Sequence, residues 1–455
     1  MLSSTDNPPG VSFRDALRFW LQLGFISFGG PAGQIAIMHR ELVEKRRWIS
    51  EKRFLHALNF CMVLPGPEAQ QLATYLGWLM HRTWGGVAAG VLFVLPSLVL
   101  LIALSWVYMA FGEQPIVAGI FYGIKPAVAA IVLHALHRIA SKSLRNPLLA
   151  PIPWALAAMS FVAVWAFNIG FPWVVLTALL LGVVLSHVAP TVLGKGNNHA
   201  SKSAVVHEAA LIDDNTPTPV HAQFKLSRLA QVLLVGAVLW LLPMGLLLAS
   251  YGWHGTLTQV GWFFTKAALL TFGGAYAVLP YVNQAAVEHY QWLTTAQMMD
   301  GLALGETTPG PLIIIVAFVG FVAGWTKEVF GPDALFLGAT LAGCVATWFT
   351  FLPSFIFILA GGPYVESTRG NHKLTAPLAA VTAAVVGVIA NLAVFFIAAV
   401  AFPKGAAALK YPPDWIALGI LAASLFALWQ LKWGVVKVIA SAAAAGLVLR
   451  LTGLV

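Results

Sequence analysis

Apolar residues in this chain come in long blocks rather than in alternation or in narrow stripes. Gly86 to Ala110, Ala334 to Ala360 and Ala376 to Phe402 are almost unbroken, and each is long enough for a helix across a hydrocarbon core, which takes about 17–25 residues. Leu229 to Ala249 reads as a further span. Blocks of this kind predict an all-α polytopic membrane protein, because a lipid-embedded chain must satisfy its backbone within each helix. Polar residues gather in short connections and in one long stretch, Gly194 to Arg228, whose mixed charge and Thr-Pro-Thr-Pro run read as a flexible cytoplasmic linker. The pattern divides the chain into a first repeat unit at 11–193, a linker at 194–228, and a second unit with an extra span at 229–455.

Four apolar segments are interrupted. Phe19 to Met38 is broken by Gly29-Gly30-Pro31-Ala32-Gly33, and Phe54 to Met80 by Pro65-Gly66-Pro67; later in the chain, Gly273-Gly274 and Pro309-Gly310-Pro311 do the same. These breaks predict discontinuous or re-entrant helices, tolerable in lipid only where protein, water or ligand meets the freed backbone groups. Pro67 and Pro311 suit the first position of a helix, so half-helices are expected from Glu68 and from Leu312. Their N-termini would each carry roughly +0.5 charge and free N–H donors, a seat for an oxyanion.

The breaks repeat in register. At an offset of 244, Phe28-Gly29-Gly30 matches Phe272-Gly273-Gly274, Glu44 matches Glu288, Trp48 matches Trp292, and Pro65-Gly66-Pro67 matches Pro309-Gly310-Pro311. Further on, Leu95-Pro96-Ser97 finds Leu352-Pro353-Ser354. The halves are duplicates, and paired interruptions in two halves point to a transporter binding site.

Charge predicts how the halves are oriented. Arg40, Lys45, Arg46, Arg47, Lys52 and Arg53 crowd the stretch from His39 to Arg53, whereas Asn283 to Gln297 has no Lys or Arg. The positive-inside rule then places the first stretch in the cytoplasm and its repeat outside, an inverted-topology pair. His137 to Arg145 and His372-Lys373 agree with this scheme; Lys404 and Lys410 run against it. The net charge of +9 is explained by topology and needs no nucleic-acid partner.

Composition narrows the classes. At 59% hydrophobic and 9% charged, the chain lies far from soluble averages. Met1 to Gly10 has no basic or apolar signal region, so the first spans are expected to direct insertion. Cys61 and Cys344 each stand alone in apolar sequence, which predicts two buried thiols and no metal site, redox pair or cofactor. A membrane-bound reductase would need a haem, nucleotide or cysteine-pair signature, and none is present. A scaffold would leave the duplicated breaks without purpose.

Around the breaks, Gly29, Gly30, Pro31, Gln34, Pro65, Gly66, Pro67, Gly273, Gly274, Pro309, Gly310 and Pro311 are candidate binding or gating positions. Glu68 and Glu306 read either as proton carriers or gates or as caps of half-helix N-termini. Gln70 with Thr74, and Gln71 with Tyr75, share helix faces at i,i+4 and offer either oxyanion contacts or interhelical glue, as do Thr307 and Thr308. Lys266 lies inside an apolar segment and is a candidate countercharge, whereas Lys125 is expected to snorkel to the headgroups. Arg40, Lys45, Arg46 and Arg47 set topology first and gather anions second; His39, His56 and His81 are expected to be solvated.

FGGPAGQIAIMH from Phe28, LPGPEAQQLATYLGW from Leu64, FVLPS from Phe93, FGGAYAVLPYV from Phe272 and GETTPGPLIII from Gly305 together resemble the bacterial chromate ion transporter family in its long, two-domain form. The resemblance covers nearly all of the chain outside the termini and the linker. It implies export of chromate across the bacterial cytoplasmic membrane and resistance to that oxyanion. Sulfate, a tetrahedral dianion of similar size, remains the alternative substrate. The expected partners are chromate or a similar oxyanion and the lipid bilayer, with a homodimer left open.

Overall fold

The computed structural model describes residues 10–28, 30–144, 151–188, 210–213, 216–217, 219–272, 274–367, 375–403 and 412–454. The first half runs through α1 (Phe13–Ile26), α2 (Gly30–His39), α3 (Glu51–Val63), α4 (Glu68–Phe111), α5 (Pro115–Ser143), α6 (Pro151–Phe167) and α7 (Phe171–Val188). After α8 (Leu226–Tyr251) the second half repeats the order as α9 (Thr256–Leu270), α10 (Ala275–Asn283), α11 (Thr295–Thr307), α12 (Ile315–Thr326), α13 (Leu335–Ser367), α14 (Thr375–Ala401), α15 (Trp415–Trp429) and α16 (Val435–Leu451). The helices α4, α5, α8, α13 and α14 are long and apolar enough to cross a membrane, which makes this an all-α polytopic membrane protein.

The backbone repeats more faithfully than the side chains. Short π-helices at Arg40–Lys45 and Gln284–His289 lie at the offset of 244, as do α3 and α11. Ser50 caps α3 by accepting from the Arg53 N–H, and Thr294 caps α11 from the equivalent position, each satisfying a donor that a helix start leaves open. Arg47 and Gln291, with φ of 53° and 50°, turn the chain in the same left-handed way, and Gly66 and Gly310 carry φ of 127° and 105°.

At about 1.5 Å per residue, α1 and α3 are too short to span the bilayer. Both belong to re-entrant hairpins. Phe13 at the start of α1 meets His81, while Phe19 in its middle meets Trp48, which follows α2; the chain has gone in and come back. α3 enters and returns as the first part of α4, with Phe60 against Tyr75. At His81 and Arg82 the helix breaks sharply, Arg82 having φ 57°, and the rest of α4 makes the crossing. In the second half Phe263 against Trp292 repeats the first contact.

The long repeat partners α4 and α13 run antiparallel: Trp78, Gly90 and Trp106 of α4 face Gly362, Phe355 and Phe336 of α13 in turn. Other contacts are exchanged between halves. Gly119 and Gly123 of α5 pack on Arg450, Ala442 and Gly446 of α16, while Gly387 of α14 packs on Ala157 of α6 and Gly182 of α7 on Pro377 and Ala380 of α14. Small residues at these crossings let the backbones approach closely, as packing in lipid requires.

Part of the linker is structured, contrary to the reading of 194–228 as flexible. Ile212 pairs with Ile49 in a short parallel bridge, Ser50 N–H donates to Ile212 C=O (3.0 Å), and Ala222 is fully buried. Leu211-Ile212 supplies an apolar plug for the turn after the first π-helix, and that turn supplies unpaired backbone groups. The expectations on Lys404, Lys410, His372, Lys373 and 194–209 lie outside the described residues.

Candidate functional site

The tips of the re-entrant hairpins meet at the centre of the molecule and complete one another. Gly66 N–H donates to Thr271 C=O, and Gly310 N–H donates to Ser27 C=O, each at 2.7 Å. Since 27 and 66 are the repeat partners of 271 and 310, the two bonds are images of each other, the mark of a two-fold relation. A break that would cost several kcal/mol per orphan group in lipid is thus satisfied by the other half's break. Side chains add to the tie, with Gln34 Nε2 donating to Gly310 C=O and Ser97 Oγ to Pro309 C=O (2.5 Å), while within the first half Gln71 Nε2 donates to Pro65 C=O (2.8 Å). Ser354, the partner of Ser97, stands 3.5 Å from Gln71.

Helices α2, α4 and α10, and the 3-10 turn Leu312–Ile314 leading into α12, all begin at these tips, so four helix starts present N–H groups to the centre. Pro67 and Pro311 occupy the cap position, one residue before the first helical turn they were expected to fill. Gly29 and Gly273 lie outside the described residues; Gly30 and Gly274 hold φ of 70° and 96°, a left-handed turn that glycine makes without steric cost, and Pro31 follows at the start of α2.

Two carboxylates reach this region and differ in setting. Glu68 opens α4, where the helix end favours a negative charge, and it lies over Gly274, whose added Cβ would come within 3.9 Å of its Oε1. Glu306 is in the last turn of α11, so it cannot cap a helix N-terminus; it accepts a hydrogen bond from Tyr276 Oη instead. Arg138 and Lys142, one turn apart on α5, are the basic groups that act on Glu306 and Glu68 respectively, and Arg138 stands 6.0 Å from the Tyr276 ring centre. The sequence placed these two cations in a cytoplasmic loop. The helix instead continues through both of them to Ser143.

Several candidates hold the frame. Gln70 Nε2 donates to Thr74 Oγ1 (3.0 Å) one turn along α4, and Thr74 packs on Gly90 beyond the break in that helix. Tyr75 Oη donates to Glu366 (2.5 Å). Thr307 and Thr308 turn back onto the carbonyls of α11. Unpartnered acceptors remain at Gln34 Oε1, Gln70 Oε1 and Gln71 Oε1, all buried.

Two lysines fall elsewhere than expected. Lys266 leaves the tips and enters a cavity of about 300 Å³ with Trp253, His254, Gln259, Trp262 and His289, its Nζ 5.8 Å from the Trp262 ring; a long side chain on a helix tilts toward the helix start. Lys125 does not snorkel but pairs with buried Asp300 at 3.5 Å, a partner 175 residues away that no local pattern reveals. His39 bonds Glu44 (3.1 Å) and Glu51, and His81 Nε2 is 3.0 Å from Val11 C=O, so neither is simply solvated. Cys61 is buried and Cys344 half-buried. Among the described residues no group of three His, Cys, Asp or Glu is placed to hold a metal.

Duplicated halves, re-entrant tips meeting at the centre and helix starts converging there define a multi-pass membrane transporter. The chain belongs to the chromate transporter family: the family model, described as chromate transporter, matches residues 14–183 and again 258–447, once per half. It is 36% identical to a chromate transport protein of Pseudomonas aeruginosa, over 96% of this chain and 93% of that one. It is 30% identical to a chromate transport protein of Cupriavidus metallidurans (85% and 83% covered), and 29% identical to a probable chromate transport protein of Synechococcus elongatus (85% of each). No solved structure matches.

Proposed function

We propose that the protein is a secondary transporter that exports chromate through the meeting point of the four tips, with the linker face cytoplasmic and the halves inverted in the membrane. The observation that carries the reading is the convergence of four helix starts at the paired tips, which presents N–H donors to an oxyanion, with Arg138 on α5 standing 6.0 Å from the Tyr276 ring as the nearest placed cation. The antiparallel course of α4 and α13 supports the inversion. So does the charge contrast between the stretches at 39–53 and 283–297. Chromate leaves as it entered, with no chemical conversion.

The membrane potential favours this direction. A negative interior is worth about 2.3 kcal/mol per charge per 100 mV, so a dianion gains roughly twice that on leaving. The chromate transport proteins that this chain resembles supply the substrate; the site selects charge and tetrahedral shape, which sulfate shares. Everted vesicles loaded with the protein are expected to accumulate radiolabelled chromate saturably, with sulfate a weaker competitor, and Arg138→Gln is expected to raise KM several-fold. Saturable sulfate transport unaffected by chromate would overturn the assignment. Collapsing the potential and the pH gradient separately identifies the driving force.

A further inference from the structure

Two ion pairs cross from one half to the other, one on the linker face and one toward the far end of α4. On the linker face Arg53 of α3 pairs with Glu366 of α13 at 3.3 Å, and Tyr75 Oη donates to the same carboxylate at 2.5 Å. Toward the far end, which α4 reaches at Phe111, Lys125 of α5 pairs with Asp300 of α11 at 3.5 Å, and Tyr108 Oη donates to Asp300 at 2.8 Å. Each cluster has its base and its tyrosine from the first half and its acid from the second. Each also ties a re-entrant hairpin of one half to the long α4 or α13 helix of the other, so the two occupy related places under the repeat.

The residues, however, are not repeat partners. At the offset of 244, Arg53 corresponds to Gln297 and Asp300 to His56. The duplication therefore did not supply the second pair by copying the first; equivalent places have acquired charge pairs of different make. A purely structural contact between halves has no need of charge, since burying an ion pair is at best neutral against apolar packing of the same volume. What a charge pair offers is two states, held while paired and released when each charge finds water or another partner.

The clusters are also unequal. Arg53 and Glu366 side chains are 4% and 1% exposed, and the guanidinium further donates to the carbonyls of Asp213 (3.2 Å) and Thr216 in the linker. Lys125 is 34% exposed, and Asp300 Oδ1, although buried, has no partner. The linker-side cluster is sealed and the opposite one is loose.

We propose that Arg53–Glu366 and Lys125–Asp300 are the two gates of the transport cycle: parting one pair frees its hairpin and opens the central tips to that face while the other pair holds. These four are positioning residues, acting on the substrate path through the hairpins they hold. The proposal rests on the transporter reading above, but its test uses no substrate.

Ser27, buried at a tip with its hydroxyl unpartnered, serves as reporter. In a Cys61→Ser, Cys344→Ala background, Ser27→Cys is labelled by a membrane-impermeant maleimide applied to one face of right-side-out or everted vesicles. Glu366→Gln is expected to raise the labelling rate from the linker face at least fivefold with little change from the other face, and Asp300→Asn to do the reverse. Tyr75→Phe, which removes one hydroxyl, gives the milder form of the linker-side effect should Glu366→Gln fail to accumulate. Rates unchanged within twofold in these variants, or rising equally from both faces, would overturn the gates. Failure of the unsubstituted protein to move chromate, with the labelling pattern as expected, would instead count against the transporter reading.

Discussion

The stretch from Arg40 to Val63 and its repeat from Gln284 to Thr307 share one backbone and almost none of their chemistry. Both run through a π-helix, a left-handed residue, a capped helix start and a helix that ends at a Pro-Gly-Pro break. In the first, Arg46 lies over the rings of Phe19 and Trp48, 4.9 and 5.2 Å from their centres. In the second, Tyr290 fills the position of Arg46 and stacks on Trp292 at 4.4 Å. A cation and a neutral ring do the same packing work. The fold thus asks only for a flat group there, and the proposed inversion of the halves would account for the charged one.

The contrast can be broken most severely at the tips, where the halves are alike. Gly310→Ala adds a Cβ at φ 105°, directly against Ser97 Oγ, in a region where an L-residue pays at least about 1–2 kcal/mol. Chromate export in everted vesicles is expected to fall at least tenfold with membrane levels kept within about twofold, and Gly66→Ala to behave the same way against Ser354. Normal export in both would show that the reciprocal bonds are packing alone.

A smaller effect separates the halves. Ser97→Ala removes a 2.5 Å bond to Pro309 C=O, worth about 1 kcal/mol, so export is expected to drop several-fold. Ser354→Ala loses only a 3.5 Å contact with Gln71 and is expected to cost less than twofold. Equal losses would mean that the serines act through something other than these bonds.

The smallest effect is expected at the charged mouth. The hydrogen bond from Lys45, 2.7 Å long, holds the Glu41 carboxyl below the usual carboxylate range, with the charges of Arg40 and Arg46 adding to it. A depressed carboxylate stabilises the fold above its unfolded value, and that contribution is lost as pH falls through the lower folded one. Lys45→Met is expected to lower stability by about 0.3–0.5 kcal/mol at neutral pH and by less in acid, read from melting in detergent.

Much of this architecture was legible beforehand because it rests on local signals. Unbroken apolar runs marked α4, α13 and α14, and Gly-Pro interruptions marked the tips, since both report directly on how a backbone survives in lipid. What escaped was non-local. Nothing near Lys125 announces Asp300, and nothing near Arg53 announces Glu366; a lone charge in apolar sequence reads as snorkelling or topogenic until its partner is brought to it. Lys266 misled for the opposite reason, its position inside an apolar segment saying nothing of which way a flexible side chain turns. Leu211-Ile212 was lost in polar surroundings, where two apolar residues are too few to change a composition.

The exchange of helices between halves bears on how the protein is made. α6 and α7 rest on α14, and α5 on α16, so these faces of the first half leave the ribosome without their partners. At about 5–20 residues per second, tens of seconds pass before α14 and α16 follow. Throughout that interval the Gly119–Gly123 face of α5 is a ready dock for any small-residue helix nearby, and the nascent chain must rely on the insertion machinery to keep that dock empty.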